Sequence, residues 1–190
     1  ACLPDYAELH CLSNFSFLRG ASHPEELVER AHALGYAALA LTDECSLAGA
    51  VRAHLAAKRC GLKLIFGTEV TLQDGLKMVL LATDRRSYGA ICSLITVGRR
   101  RGRKGSYLLQ REDIEAVVGA LLLLLSEKAD DARWAARHFP GRAWIAVERQ
   151  CGPDDRARLD SLAQRGLPLV AAGDVHMHLR SRKPLQDVLT

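Results

Sequence analysis

Acidic and imidazole side chains follow four apolar runs of strand length, and these residue types are common metal ligands. The four groups are His10 at the end of YAELHC, Asp43 with Glu44 after AALALT, Glu69 after LKLIFG, and Asp174 with His176 after LPLVAAG. In a barrel of parallel strands alternating with helices, the carboxyl ends of the strands meet on one face, where loops direct side chains to a common centre. The pattern predicts a metal-dependent hydrolase site, or the remains of one.

The strongest group is the pair formed by Asp174 and His176. Their spacing of i, i+2 places both side chains on the same face of an extended chain, where they can bind one ion. His178 would share that face only if the strand continued, and Gly173 argues against such a continuation.

Each group also has a simpler interpretation. A single histidine such as His10 is more often packed or at the surface than bound to a metal. Asp43 and Glu44 suit a divalent cation, but they also suit a cap on the following helix through its dipole. An exposed glutamate at a strand end, such as Glu69, is common. The joint pattern favours a metal-like site, because independent polar residues would not choose the same end of four strands.

Composition indicates one folded domain spanning residues 1–190, since 48% of the chain is hydrophobic. The net charge of +4 is too small to indicate nucleic-acid binding by itself. Six cysteines without a CxxC pair are expected to be thiols in a reducing cytosol. No signal peptide and no apolar run near the roughly 20 residues of a membrane span are present, so we expect a cytoplasmic protein without membrane contact. The start at Ala1 and the end within an apparent helix suggest a piece of a longer protein.

Strand-length apolar runs alternate with helical segments in about seven β/α units. The predicted strands lie near residues 6–11, 37–42, 62–66, 77–82, 119–125, 143–147 and 167–172. Ser22 and Glu25 predict a capping box for the first helix, and Gly35 predicts its end. Further helices are expected over about 46–60, 85–97 and 154–164. Because runs such as AALALT are apolar throughout, they predict a parallel sheet covered by helices on both faces.

One irregular segment, VGRRRGRKGSY, is rich in glycine and charge and is predicted not to continue the preceding helix. Its five cations are Arg99, Arg100, Arg101, Arg103 and Lys104. Such a run is usually a solvated loop. The functional alternatives are contact with the phosphate backbone of DNA, which gives affinity without reading sequence, and contact with another domain. Trp134 and Trp144 are expected in the core or in domain contacts rather than in base stacking.

The chain resembles a PHP (polymerase and histidinol phosphatase) domain. The segments that carry the resemblance are ELHCLSNFSFLRGASHPEELVERA, ALTDECSLAGAVRA, GTEV and AAGDVHMHLRSRKPLQDVLT, which are similar to the amino-terminal domain of bacterial C-family replicases, especially the error-prone type. The resemblance covers nearly the whole chain. It implies a distorted seven-stranded β/α barrel, and in active members a trinuclear metal centre that hydrolyses phosphoesters.

The sequence departs from the active pattern of this family at three matched positions. The second histidine of the opening motif falls on Leu12, an aspartate before Gly20 is Arg19, and the histidine after Asp43 is Glu44. The remaining ligands would fall near Lys77, Lys128 or Gln150. Glu69, Asp174 and His176 match the family's ligands directly.

Charge then suggests what replaces the missing ligands. Asp43, Glu44, Glu69 and Asp174 would crowd up to four negative charges together, which is costly unless cations enter or pKa values rise. Arg19 is a natural cation that can bind a carboxylate with two hydrogen bonds, so it could stand where a metal sits in active relatives. The alternative for Arg19 is a solvated loop residue.

The resemblance leads to one main hypothesis and two alternatives. The main hypothesis is a PHP domain of an error-prone DNA polymerase, acting in translesion synthesis and repair, with a degenerate site that holds one or two divalent metals (Zn, Mn or Mg) or none, and with a mainly structural role. The first alternative is an active phosphoesterase or 3′–5′ exonuclease that uses His10, Glu69, Asp174 and His176. The second is a module that docks DNA or a partner through the basic segment. Expected partners are DNA through the parent polymerase, its other domains, and damage-tolerance or replication proteins.

Overall fold

A computed structural model describes residues 5–148 and 153–189 of the chain. Seven strands form a sheet in which the order in space follows the order in sequence. The strands are β1 (Ala7–Cys11), β2 (Ala38–Leu41), β3 (Lys63–Thr71), β4 (Lys77–Leu81), β5 (Leu121–Leu124), β6 (Ala143–Val147) and β7 (Leu169–Ala171). All seven overlap runs predicted from the sequence, although β3 continues to Thr71, beyond the predicted run of 62–66.

Helices connect most of these strands. They are α1 (Pro24–Ala33), α2 (Ala50–Cys60), α3 (Arg85–Arg101), α4 (Arg111–Glu115), α5 (Ala129–His138), α6 (Asp155–Ala163) and α7 (Lys183–Leu189), the last preceded by a 3-10 turn at Arg180–Arg182. Over the described ranges, every helix is too short or too polar to cross a membrane.

The chain packs as two compact units. The first unit consists of residues 1–68 and 173–190. In it, β1, β2 and the beginning of β3 run parallel, as the sequence predicts. Helices α1 and α2 pack on this sheet through a core of small and branched side chains that includes Leu27, Val28, Leu39 and Ala53. Cys11 at the end of β1 also forms a parallel bridge with Val175, which attaches the segment after β7 to β1.

The second unit consists of residues 69–172. Strands β5, β6 and β7 run parallel, but β4 runs antiparallel to β5. The prediction of a wholly parallel sheet is therefore wrong at β4. The physical reason is the short connection from β3, where the Leu72 N–H donates to the Leu76 carbonyl at 2.8 Å. A turn of this length reverses the chain, whereas a parallel neighbour needs a crossover of a dozen or more residues.

Three predicted helix boundaries also need correction. Helix α2 begins at Ala50 rather than near residue 46. Helix α1 begins at Pro24 with His23 as its N-cap, and Glu26 rather than Glu25 accepts the N–H of the cap residue, at 2.8 Å. Helix α3 continues through the first three arginines of the basic segment, so the prediction of an irregular chain there holds only beyond Arg101. Favourable charge at a helix C-terminus explains this extension, because arginines stabilise the negative end of the helix dipole.

Candidate metal centre

The candidate ligands come from β1, from β3 and from the segment after β7. His10 lies one residue before the end of β1 and is only 2% exposed. Glu69 lies inside β3 and is completely buried, so the prediction that it follows the strand end is wrong. Asp174 follows β7 and adopts a φ of 45°, in the left-handed region that few residues other than glycine adopt. Unfavourable backbone conformations of this kind cluster at functional sites.

Asp174 brings two imidazole rings together. Its Oδ1 lies 3.5 Å from Nδ1 of His10 and 2.9 Å from Nε2 of His176. The sequence predicted that Asp174 and His176 would leave the same face of the chain, where they can bind one ion, and the two side chains do lie together. The predicted reason, an extended chain, is wrong, because the left-handed φ at Asp174 turns the backbone here.

His176 is oriented as a metal-binding histidine usually is. Its Nδ1 lies 3.2 Å from the backbone carbonyl oxygen of Arg19. The same Nδ1 lies 3.4 Å from Gln186 Nε2, and Nε2 faces Asp174 Oδ1 at 2.9 Å. In the tautomer with its hydrogen on Nδ1, the ring would donate to the carbonyl and present Nε2 to a cation.

Three of the predicted ligands form a group suited to one ion inside the first unit. They are His10, Asp174 and His176, and Asp174 Oδ1 lies within 3.5 Å of a nitrogen of each imidazole. Two imidazole nitrogens with a carboxylate oxygen form a donor set that suits zinc or manganese. The chemistry of the residues present therefore fits a divalent metal.

Asp43 has different surroundings. Its carboxylate accepts hydrogen bonds from the Ser13 N–H, the Ser13 hydroxyl and the Ser16 hydroxyl, each at 2.7 Å. The side chain is 1% exposed, and burial raises the pKa of this carboxyl, although the serine hydrogen bonds act in the opposite direction. These contacts fasten the loop after β1 to the end of β2. Asp43 thus has its carboxylate engaged by protein donors.

Glu44 is paired with a cation from the protein. Nη1 of Arg19 lies 2.8 Å from its Oε2, and the Ser16 hydroxyl accepts its backbone N–H at 2.9 Å. Arg19 thus contacts one of the acids named by the sequence analysis. Its side chain is 23% exposed, so it is not the solvated loop residue that the alternative predicted. Leu12, at the third departing position, is completely buried.

A second cation lies near Glu69. The Lys77 Nζ is 3.8 Å from Glu69 Oε1. Lys77 is one of the three positions near which the resemblance placed a further family ligand. Lys128 precedes α5 as its N-cap, and Gln150 lies outside the described residues.

The basic segment divides into two groups. Arg99 lies over the ring of Tyr107 at 5.3 Å, and Nη1 of Arg101 is 2.6 Å from Asp113 Oδ2. Arg100, Arg103 and Lys104 are exposed, as are the other two cations. Sequence reasoning could not find this division, because Tyr107 and Asp113 gave no signal.

Sequence reasoning also missed Glu8. Its buried carboxylate accepts the backbone N–H of His10 and of Gly173, both at 2.9 Å. Glu8 lies two residues before a candidate ligand in the same motif, but an isolated glutamate in a strand carries no indication of such contacts.

Solved structures with this fold include proteins assigned as metal-dependent phosphoesterases. The chain superposes with a TM-score of 0.65 and 19% identity on a protein from Bifidobacterium adolescentis assigned as a metal-dependent phosphoesterase, covering 93% of this chain and 89% of that one. An amidohydrolase from Chromobacterium violaceum gives a TM-score of 0.66 at 20% identity, with coverage of 90% and 87%. These likenesses confirm the predicted fold class, the distorted seven-stranded β/α barrel of the PHP type.

Residues 8–148 match the sequence profile of the PHP domain, and the chain belongs to this family. It is 60% identical over 201 aligned residues to an error-prone DNA polymerase from Dechloromonas aromatica (strain RCB), covering 99% of this chain and 20% of the relative. The error-prone DNA polymerase of Methylococcus capsulatus is 57% identical, with coverage of 97% and 18%. The predicted resemblance is confirmed. The chain spans about one fifth of the length of the curated relatives it matches.

Proposed function

We propose that this chain is the PHP domain of an error-prone DNA polymerase, with a degenerate metal site that lacks some of the family's ligands. Its role in the parent enzyme is mainly structural. The observation that carries the proposal is the Arg19–Glu44 ion pair at 2.8 Å, formed by two of the residues that replace family ligands. A guanidinium cannot lose its proton, so a residue of this kind repels a metal ion and neutralises the carboxylate that it contacts.

The metal ligands of this degenerate site would be His10, Glu69, Asp174 and His176. A divalent zinc, manganese or magnesium ion held there would supply Lewis-acid polarisation of a phosphoester oxygen. The protein residues orient the ligands: the Arg19 carbonyl fixes the His176 ring, and Asp174 lies against both imidazoles. Asp43 and Glu44, which the sequence analysis also named as ligands, act in this proposal as structural acids.

Manganese titration of the 190-residue chain tests the proposed ligands. Asp174→Asn should weaken manganese binding by at least about tenfold, since a neutral amide is a poorer ligand than a carboxylate. Asp43→Asn is the matched control, because it changes a neighbouring carboxylate that the serines bind. Equal weakening by both variants, or a parent chain that binds neither manganese nor zinc, would overturn the assignment.

The parent polymerase supplies the wider context of the proposal. Similarity to error-prone DNA polymerases over nearly the whole chain supports a place beside the other domains of such an enzyme, in translesion synthesis and DNA repair. Contact with DNA through the parent enzyme, contact with damage-tolerance or replication proteins, and a cytoplasmic location belong to the same proposal.

A second candidate function is contact with DNA through the basic segment, favoured by the exposure of Arg100, Arg103 and Lys104. These three are better placed for phosphate than Arg99 and Arg101, which contact Tyr107 and Asp113.

Replacing the three exposed cations with alanine tests this candidate. The slope of the logarithm of the DNA-binding constant against the logarithm of salt concentration should become less steep by about 0.9 for each phosphate that the variant no longer neutralises. The control replaces three exposed cations of α2, which are Arg52, Lys58 and Arg59. Equal effects of the two triple variants would indicate general charge attraction only.

A further inference from the structure

The backbone segments that carry His10 and Asp174 are held together beside Glu8. The Val175 N–H donates to the His10 carbonyl at 2.9 Å, and the Leu12 N–H donates to the Val175 carbonyl at 2.8 Å. These two bonds attach the segment after β7 to the end of β1. They leave the backbone on the amino-terminal side of Asp174 to be fixed by another group.

Glu8 accepts the backbone N–H next to Asp174 on that side. Its Oε1 accepts the N–H of Gly173, the residue before Asp174, and also the N–H of His10, both at 2.9 Å. One carboxylate oxygen therefore binds the backbone on both segments. Hydrogen bonds from N–H groups to a carboxylate are stronger than those to a neutral acceptor, so this is a firm connection.

An irregularity in the sheet explains why the His10 N–H is available. The pairing of β1 with β2 shifts register between Glu8 and Cys11, so that an extra residue of β1 lies opposite a shorter stretch of β2. A bulge of this kind interrupts the ladder and redirects a side chain, often next to an active site. Glu8 satisfies the donor at this interruption.

The second carboxylate oxygen is also engaged. The Tyr6 hydroxyl donates to Glu8 Oε2 at 2.9 Å, and the Tyr6 ring packs edge-on against Tyr36 with centroids 5.0 Å apart. Glu8 is 2% exposed. A carboxylate with all of these donors, packed away from water, has a single well-defined position.

Gly173 makes the close approach of Glu8 feasible. A Cβ atom added at residue 173 would collide with Glu8 Oε2 and would lie 3.3 Å from a methyl group of Val175. The glycine is therefore required by the carboxylate rather than by its own backbone conformation, since its φ is not among the positive values.

We propose that Glu8 is a positioning residue, which fixes His10 and Asp174 relative to each other by binding the backbone N–H groups of His10 and Gly173. The inference rests on the metal site proposed above, in which both residues are ligands. Partners that orient ligands in this way typically contribute about 10-fold to 100-fold to metal affinity.

Four variants of the 190-residue chain test the proposal. Glu8→Ala removes the acceptor, and Glu8→Gln keeps an oxygen for both N–H groups. Gly173→Ala introduces the collision, and the Gly173→Ala, Glu8→Ala double variant removes it again. Val28→Ala, in the core of the same unit, is the control for general destabilisation.

Two measurements are made on each variant: hydrogen exchange at the amides of residues 10 and 173, and manganese affinity. Glu8→Ala should speed exchange at both amides and weaken manganese binding by about tenfold or more, whereas Glu8→Gln and Val28→Ala should stay close to the parent. Gly173→Ala should weaken binding as well, and the double variant should bind no more weakly than Glu8→Ala alone.

The two readouts separate the two proposals. Unchanged exchange and affinity in Glu8→Ala, or equal losses in Val28→Ala, would overturn the positioning role of Glu8. If the parent chain bound no manganese, the proposed metal site would be wrong, and so would the role of Glu8 in positioning its ligands. Faster amide exchange in Glu8→Ala would still show that Glu8 joins the two segments.

Discussion

The loop after β2 and the segment after β7 carry similar residues, but these residues bind different partners. After β2, Asp43 is bound by Ser13 and Ser16, and Glu44 is bound by Arg19. After β7, Asp174 lies against two imidazole rings, whose nitrogens are common metal ligands. An acid at a strand end therefore becomes a structural group or a candidate ligand according to the donors around it, which the acid alone does not reveal.

The largest expected effect concerns the structural acid. Asp43→Ala should lower the free energy of unfolding by about 3 kcal/mol, because it leaves the buried donors of Ser13 and Ser16 without their acceptor. Urea unfolding of the variant measures this loss, and Ser16→Ala, which removes a single hydroxyl, should cost less. A loss below that of Ser16→Ala would mean that Asp43 does not hold the loop, and the contrast between the two regions would weaken.

A smaller effect is expected for the ion pair. Arg19→Ala should destabilise the fold by about 1 kcal/mol, since both partners are partly exposed, and the loss should shrink in concentrated salt. Arg52→Ala, which removes a more exposed partner of Glu25, is the control and should cost less than about 0.5 kcal/mol. If Arg19→Ala matched the control at every salt concentration, Arg19 would not compensate the acids after β2.

The smallest expected effect is a pH dependence from Asp43. Burial raises the pKa of this carboxyl, so the folded protein binds the proton more tightly than the unfolded chain does. Its contribution to stability is therefore fully present below about pH 3.9 and is lost as pH rises through the higher folded-state pKa. Urea unfolding between pH 4 and pH 7 should show the advantage of the parent over Asp43→Asn decreasing with pH. An advantage that grew with pH would show that the serine hydrogen bonds outweigh burial.

Much of the fold could be predicted from the sequence, because apolar runs and glycine stops are local signals. All seven strands and the end of α2 at Gly61, with its φ of 78°, follow from such signals. The antiparallel direction of β4 could not be predicted, since β4 is as apolar as its parallel neighbours and only the length of the turn before it differs. The continuation of α3 through Arg101 was also missed, because Gly98 and the run of like charges argued against a helix, although arginine itself has a high helix propensity.

The candidate site was predictable in its residue types but not in its contacts. Asp174 and His176 were found by spacing, although the backbone around the left-handed Asp174 is held by contacts with the distant strand β1. The roles of Ser13 and Ser16 around Asp43 and the contact of Glu8 with Gly173 depend on residues distant in sequence. Side-chain hydrogen bonds over such separations leave no periodic pattern to read.

The central claim is that the metal site is degenerate, because Leu12, Arg19 and Glu44 replace three of the ligands of the family's complete centre. Elemental analysis of the chain after saturation with manganese or zinc tests it most directly, with phosphodiesterase activity measured on the same samples. We predict at most one or two ions per chain and weak hydrolysis, with more metal and more activity after the family's ligands are restored by Leu12→His, Arg19→Asp and Glu44→His. Three ions per chain in the parent, with strong hydrolysis that is abolished in His176→Ala, would contradict the account.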